Sequence, residues 1–234
     1  MALGLLVLPA CGGGAQARLE LRNDTGYTGA ALRIMDVLPV TTPSSTTHFA
    51  MRLSKVYLVP DVDGHRNPTG PSALLWSNPR CADPAGCDYF ELARPSAEVN
   101  ADLASQPQPV DAGTYKYVQL EFCAGGPTGP NVSWQGDGMT APHEFMFGMC
   151  GVTSEEISPP LELKSGDSVS ISLGYDLAGS SVVGDVTGSS PPTMPALTAP
   201  DGHGVGYNDC AAQSSPAKKT CFNVPAFHPT ASKI

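Results

Sequence analysis

Hydrophobic and polar positions alternate most cleanly from Tyr115 to Phe122, where Val118, Leu120 and Phe122 share one side and Tyr115, Tyr117, Gln119 and Glu121 the other. A period of two, rich in β-branched and aromatic residues, predicts a strand with one apolar face. Asp111-Ala-Gly113 predicts the turn that feeds it. Ala17 to Arg22 alternates in the same way, and Ala31 to Leu38 reads as a second strand. Val40 to Thr47 is polar and reads as a link. From His48 to Val59 the pattern changes phase: Phe49, Met51 and Leu53 share one parity, Val56 and Leu58 the other. A bulge near Ser54-Lys55 would bring both sets to one core.

Asp88 to Leu92 and Glu144 to Met149 read as short strands, and Ala97 to Ser105 as a short helix. The run from Ala124 to Pro142, which holds Trp134, reads as a glycine- and proline-rich loop. Leu161 to Lys164, the turn Ser165-Gly-Asp167 and Val169 to Tyr175 read as a hairpin, with Val169, Ile171, Leu173 and Tyr175 on one apolar face. From Ala178 the periodicity fades into Gly, Ser, Pro and Thr. Short strands between turns predict an all-β fold: an antiparallel β-sandwich of immunoglobulin- or transthyretin-like type, with long loops and an irregular C-terminal tail. The expected division is 1–10 signal-peptide remnant, 11–17 lipid-attachment cysteine and tether, 18–177 sandwich, and 178–234 tail tied by a disulfide.

The 234 residues include 25 Gly and 23 Pro, a composition that suits turns and opposes long helices. A formal charge of −9 argues against a nucleic-acid partner, whose phosphates require a basic surface. The apolar run before Cys11 is too short to span a bilayer and reads as the end of a secretory signal. Leu8-Pro-Ala-Cys11 resembles the bacterial lipobox, and the glycines after it resemble the tether of a lipoprotein. The expected location is therefore the cell envelope, at the outer membrane or cell surface of a bacterium, with the membrane as partner through a lipid on Cys11. Six further cysteines in an exported chain predict disulfides, with neighbours in sequence giving the simplest pairing: Cys81–Cys87, Cys123–Cys150 and Cys210–Cys221.

Phe49 to Leu58, Val110 to Leu120 and Leu163 to Leu173, closing on Tyr175-Asp176, together resemble bacterial lipoprotein β-sandwich domains of unassigned function over roughly residues 46–177. The resemblance implies an envelope-held binding or structural module. A more distant similarity is to periplasmic copper-associated sandwich proteins, from which no ligand set carries over.

Chemistry is sparse at the level of motifs. Asp61, Asp63 and Asn67 place oxygen ligands as a calcium loop would, but the glycine and closing glutamate of such a loop are out of place. Asp63-Gly64 is equally a turn signal. Calcium or copper binding is the second reading, with no cofactor in the first. Trp76, Trp134 and Tyr207 are candidates to stack on a glycan or to anchor a protein ligand, or else to close the core. Asn131-Val-Ser133 matches a glycosylation sequon. No G-x-S-x-G, phosphate loop or paired-histidine motif occurs, and Ser215-Pro-Ala-Lys218 lacks the helix that presents such a serine. The expectation is therefore a binding or structural module and no enzyme.

Overall fold

The computed structural model describes residues 14–24, 41–82, 86–122, 129–146, 152–177, 180–185, 197–198, 204–205, 209–212, 218–222 and 224–234. The first strands are β1 (Ala15–Asn23), β2 (Thr41–Ser44), β3 (Thr46–Met51), β4 (Leu53–Val59), β5 (Ala73–Ser77), β6 (Cys81–Ala82), β7 (Gly86–Cys87) and β8 (Phe90–Glu91). Helix α1 (Ser96–Leu103) precedes β9 (Gln108–Val110), β10 (Gly113–Phe122), β11 (Val132–Gly136), β12 (His143–Phe145), β13 (Val152–Leu163) and β14 (Ser168–Tyr175). The remaining strands are β15 (Ser181–Asp185), β16 (Leu197–Thr198), β17 (Gly204–Val205), β18 (Asp209–Ala212), β19 (Lys218–Phe222) and β20 (His228–Lys233).

These strands form an all-β sandwich. One layer holds the sheets β13-β10-β4-β5 and β12-β11-β3-β8, whose orders match column by column. Only Arg52 separates β3 from β4, so one run of chain serves both sheets. The other layer holds β20-β14-β1-β9 and β18-β19-β15-β2, with β14 leading into β15 and β19 into β20. The edges of the first pair of facing sheets meet, β20 beside β13 and β9 beside β5. All pairings in the four-stranded sheets are antiparallel except β1 with β14.

The core is one cluster. Val118, Leu120 and Phe122 are buried from β10, as their alternation predicts, against Leu19, Leu21, Ile171, Leu173 and Tyr175 from the opposite layer. In the second pair of sheets, Phe222 of β19 stacks on Trp134 of β11 at 5.1 Å and lies 5.3 Å from Phe49 of β3. The phase change after Met51 has two causes. The chain passes between sheets at Arg52, and the register of β4 against β10 then slips at Ser54, the expected bulge. Ser54 is buried there with its hydroxyl donating to the Glu121 carbonyl, while its own carbonyl accepts the Asn78 amide. A bulged residue inside a sheet needs such partners, because unpaired buried backbone groups are costly.

The edge of β1 shows how the helix earns its place. β9 pairs only with Ala15 to Ala17. Beyond it, the amides of Leu19, Leu21 and Asn23 donate to Ser105, Asn100 and Ser96, all in or beside α1. The helix thus blunts an edge that would otherwise offer free backbone groups to another chain.

Several expectations are corrected. Trp134 lies in a strand and not in a loop, because its ring fills the core while flanking polar residues face outward. Thr41 to Ser44, read as a link, is strand β2. β13 and β14 are not a hairpin. β13 pairs with β10 and β14 with β1 and β20, so the turn at Ser165-Gly-Asp167 carries the chain from one layer to the other. Their apolar faces therefore meet across the core instead of lying side by side. Residues after 177, expected as a tail, contribute strands to the sheets, with β20 completing the sheet of β14. The expected strand at Ala31 to Leu38 lies outside the described residues. At Gly174, opposite His228, a Cβ would collide with the imidazole that lies across the glycine and pairs with Asp24 at 2.9 Å.

Candidate functional site

With Phe49 and Trp134 pointing into the core, the alternation of β3 and β11 turns His48, Ala50 and Ser133 to the outer face of their sheet. The register sets Ser133 opposite Ala50, and Ala50 opposite Glu91 on β8. Three polar side chains from three strands therefore converge on one patch. Ser133 Oγ lies 2.9 Å from His48 Nε2, and His48 Nδ1 pairs with Glu91 Oε2. The other Glu91 oxygen, Oε1, accepts the amides of Ala93 at 2.8 Å and Phe49 at 3.2 Å. Burial works to raise the Glu91 pKa, but hydrogen bonds from His48 and the two amides, and the charge of His48, together hold it below the ordinary glutamate value.

That arrangement fixes the tautomer. An ionised carboxylate only accepts, so His48 Nδ1 carries a proton toward Glu91; when the ring holds that proton alone, Nε2 is the acceptor facing the Ser133 hydroxyl. In that state the three groups form a directed relay from serine through histidine to glutamate. Glu144 stands across from Ser133 on β12. Beyond the relay, Arg52 lies 4.4 Å from the Tyr89 ring centroid and donates Nη1 to the Cys87 carbonyl. Tyr89 in turn donates to the Pro130 carbonyl at the foot of β11. The floor is made of the small residues Ala50 and Ser133, and Ser133 is 5% exposed.

The residues singled out from sequence fare differently. Trp76 is 6% exposed with its indole donating to the Leu103 carbonyl at 2.8 Å, and Trp134 is 0% exposed. Neither offers a ring face for a ligand to stack on, which overturns the glycan platform at these two positions. Asp61 accepts the Val62 amide and pairs with Lys116 at 2.6 Å. Asp63 accepts the amides of His65 and Asn67 and the side-chain amide of Asn67. The two carboxylates thus serve a strand contact and a turn, and both sit below the usual aspartate pKa, Asp61 chiefly through Lys116 and Asp63 chiefly through the Asn67 amide. The loop is held over the sheet by Arg66, whose guanidinium donates to the Ser154 carbonyl and whose backbone carbonyl accepts the Ser154 hydroxyl. It is built as a turn, and no group of three or more His, Cys, Asp or Glu fit to hold a metal occurs among the described residues. Asn131 of the sequon is fully buried, so it is no glycan acceptor in the folded chain.

Cys81 and Cys87 are joined by a disulfide, as expected from sequence. Backbone register sets Cys210 opposite Cys221. Cys11, Cys123, Cys150 and Tyr207 lie outside the described residues. A groove of about 980 Å³ at one end of the sandwich includes Pro60, Pro109 and Tyr115 in its lining, with Asp111 as its one charged residue, and gathers far less chemistry than the sheet face.

Sequence reasoning missed the relay. His48 and Ser133 are 85 residues apart, and the pairing of β3 with β11 alone brings them together. The weak local signal was a histidine one position before a core phenylalanine and a serine one before a core tryptophan. Comparison with protein-family models, characterised proteins and solved structures found no match.

Since the folded-state pKa of Glu91 is depressed, its contribution to stability is present above the ordinary glutamate pKa and is lost as pH falls through the depressed value. Other depressed carboxylates, Asp24 and Asp167 among them, act in the same window, so the difference between two proteins is the informative quantity. Urea denaturation from pH 7 down to pH about 3 should show Glu91→Gln losing less stability on acidification than the unaltered chain. Parallel curves would mean that Glu91 has the same pKa folded and unfolded.

Proposed function

We propose that this protein is an exported bacterial lipoprotein, held to the envelope through Cys11, whose sandwich binds a small ligand on the outer face of the β12-β11-β3-β8 sheet. The observation that carries the binding half is the convergence of His48, Glu91, Ser133, Arg52 and Tyr89 on that one face. Outer faces of sheets ordinarily carry scattered, solvated polar residues; here Ser133, His48 and Glu91 are hydrogen-bonded in series, and Arg52 packs on Tyr89 farther along the same face. Glu91 is ionised against His48, Glu144 adds a second carboxylate, and Arg52 is engaged with Tyr89 and a carbonyl. With a chain charge of −9, the face favours a neutral or cationic ligand over an anion.

The export half is supported by Leu8-Pro-Ala-Cys11 with its glycine tether and by the Cys81–Cys87 bond, since structural disulfides persist in oxidising compartments. The glycan reading loses Trp76 and Trp134 to burial, and the calcium reading loses support to the internal hydrogen bonding of the Asp61 loop.

Titration of isotope-labelled protein with a panel of small neutral esters, amides and amines should shift the backbone amide signals of Ala50, Glu91 and Ser133 before others. Shifts confined to other surfaces would remove the face from consideration. For the anchor, expression behind an intact signal should place the protein in the detergent phase, and Cys11→Ala should release it. Two acyl chains at ~0.8 kcal/mol per buried CH₂ suffice for stable attachment. Equal partitioning of the two forms would end the lipoprotein reading.

A further inference from the structure

The Ser133, His48 and Glu91 arrangement has the connectivity that turns a serine hydroxyl into a nucleophile. A carboxylate fixed by two backbone amides orients the imidazole through Nδ1, which turns Nε2 to within hydrogen-bond reach of the serine hydroxyl. The same constellation is recognised on unrelated folds by geometry and role, not by order in the chain. All three groups sit on strands of one rigid sheet, whose core face is pinned by Trp134, Phe49 and Phe222. Ser133 is 5% exposed and Ala50 directly opposite is 1% exposed, so only a small group such as a short acyl chain can reach the serine oxygen.

We infer that Ser133 is a nucleophile, with His48 as its general base and Glu91 as the residue that positions His48, acting on short-chain carboxylic esters such as acetyl esters. The Ser133 proton passes to His48 Nε2 as Oγ bonds the ester carbonyl carbon. The carbon–oxygen bond to the alcohol then breaks, and the departing alkoxide takes the proton from Nε2. Water attacks the acyl-serine through the same relay, releasing the carboxylic acid and restoring the hydroxyl. The sum is ester plus water giving acid plus alcohol. Because Ser133 lies inside the β11–β3 ladder, its own amide is committed opposite Ala50 and does not serve as an oxyanion donor. Loss of one such donor lowers turnover about 10²–10³-fold, so the expected activity is slow.

The inference rests on reading this sheet face as the ligand surface, and the test separates the two. The full chain is treated with a fluorophosphonate probe and followed by intact mass and peptide mapping. One equivalent should attach to Ser133. Ser133→Ala should abolish labelling, and His48→Gln should slow it about 10²–10⁴-fold, the usual worth of a general base. Glu91→Gln should also slow labelling, while p-nitrophenyl acetate hydrolysis should fall to the background rate in Ser133→Ala. No labelling, labelling at another serine, or an unchanged rate in His48→Gln overturns the inference. Amide shifts at the face without labelling would leave the binding reading standing and the nucleophile refuted. Thermal melts check that the variants fold. If any of the three does not, the pH profile of wild-type labelling decides. A rate that levels off once a single group is deprotonated supports the relay, and a rate that stays proportional to hydroxide overturns it.

Discussion

Phe222 packed against Trp134 and Phe49 is the contact on which the second half of the sandwich depends. It joins a strand near the C-terminus to two strands of the opposite layer, and all three rings are fully buried. Aromatic side chains of this size dominate the energetics of small cores, and offset or tilted pairs add about 0.5–1.5 kcal/mol beyond their burial. Thr220, two residues earlier, donates to the Asp137 carbonyl and so ties the same strand to the turn that follows β11. Asp137 itself accepts the Ser45 amide at the start of β3. The strands that bear the relay are thus held from beneath by apolar packing and at their ends by hydrogen bonds.

Strand alternation links this packing to the chemistry. Fixing Phe49 and Trp134 inside leaves His48 and Ser133 no direction but outward, and a slip of one residue in either strand would exchange the core for the relay. The matching of strand columns within the layer does the rest, because β3 and β11 are central in their sheet and Glu91 enters from its edge. Site and core are two faces of one set of residues, so the geometry of one reports on the other.

Much of the fold could be read from local pattern. The apolar faces of β1, β10 and β14, the helix near residue 100 and the bulge at Ser54 all follow from periodicity and parity. What failed has a common cause: alternation reveals which way a side chain points, but not which strand lies beside it. β13 and β14 have equally apolar faces whether they pair in one sheet or oppose across a core, and the structure uses the second arrangement. Trp134 sits among glycines and prolines that signal a loop, yet five residues between them suffice for a strand. The relay was invisible for the same reason, since His48, Glu91 and Ser133 are ordinary residues until tertiary pairing sets them side by side. The disulfide at Cys81–Cys87 was legible because its two ends are close in sequence.

The most direct measurement of this account is the stability of Phe222→Ala in urea. If Phe222 clamps the two layers, removing its ring should cost about 3–5 kcal/mol, the range for deleting a buried aromatic side chain. A single cooperative transition shifted by that amount is the predicted result. A change within about 0.5 kcal/mol, as surface positions show, would mean that the β18-β19-β15-β2 sheet does not hold the layer that carries Ser133, His48 and Glu91.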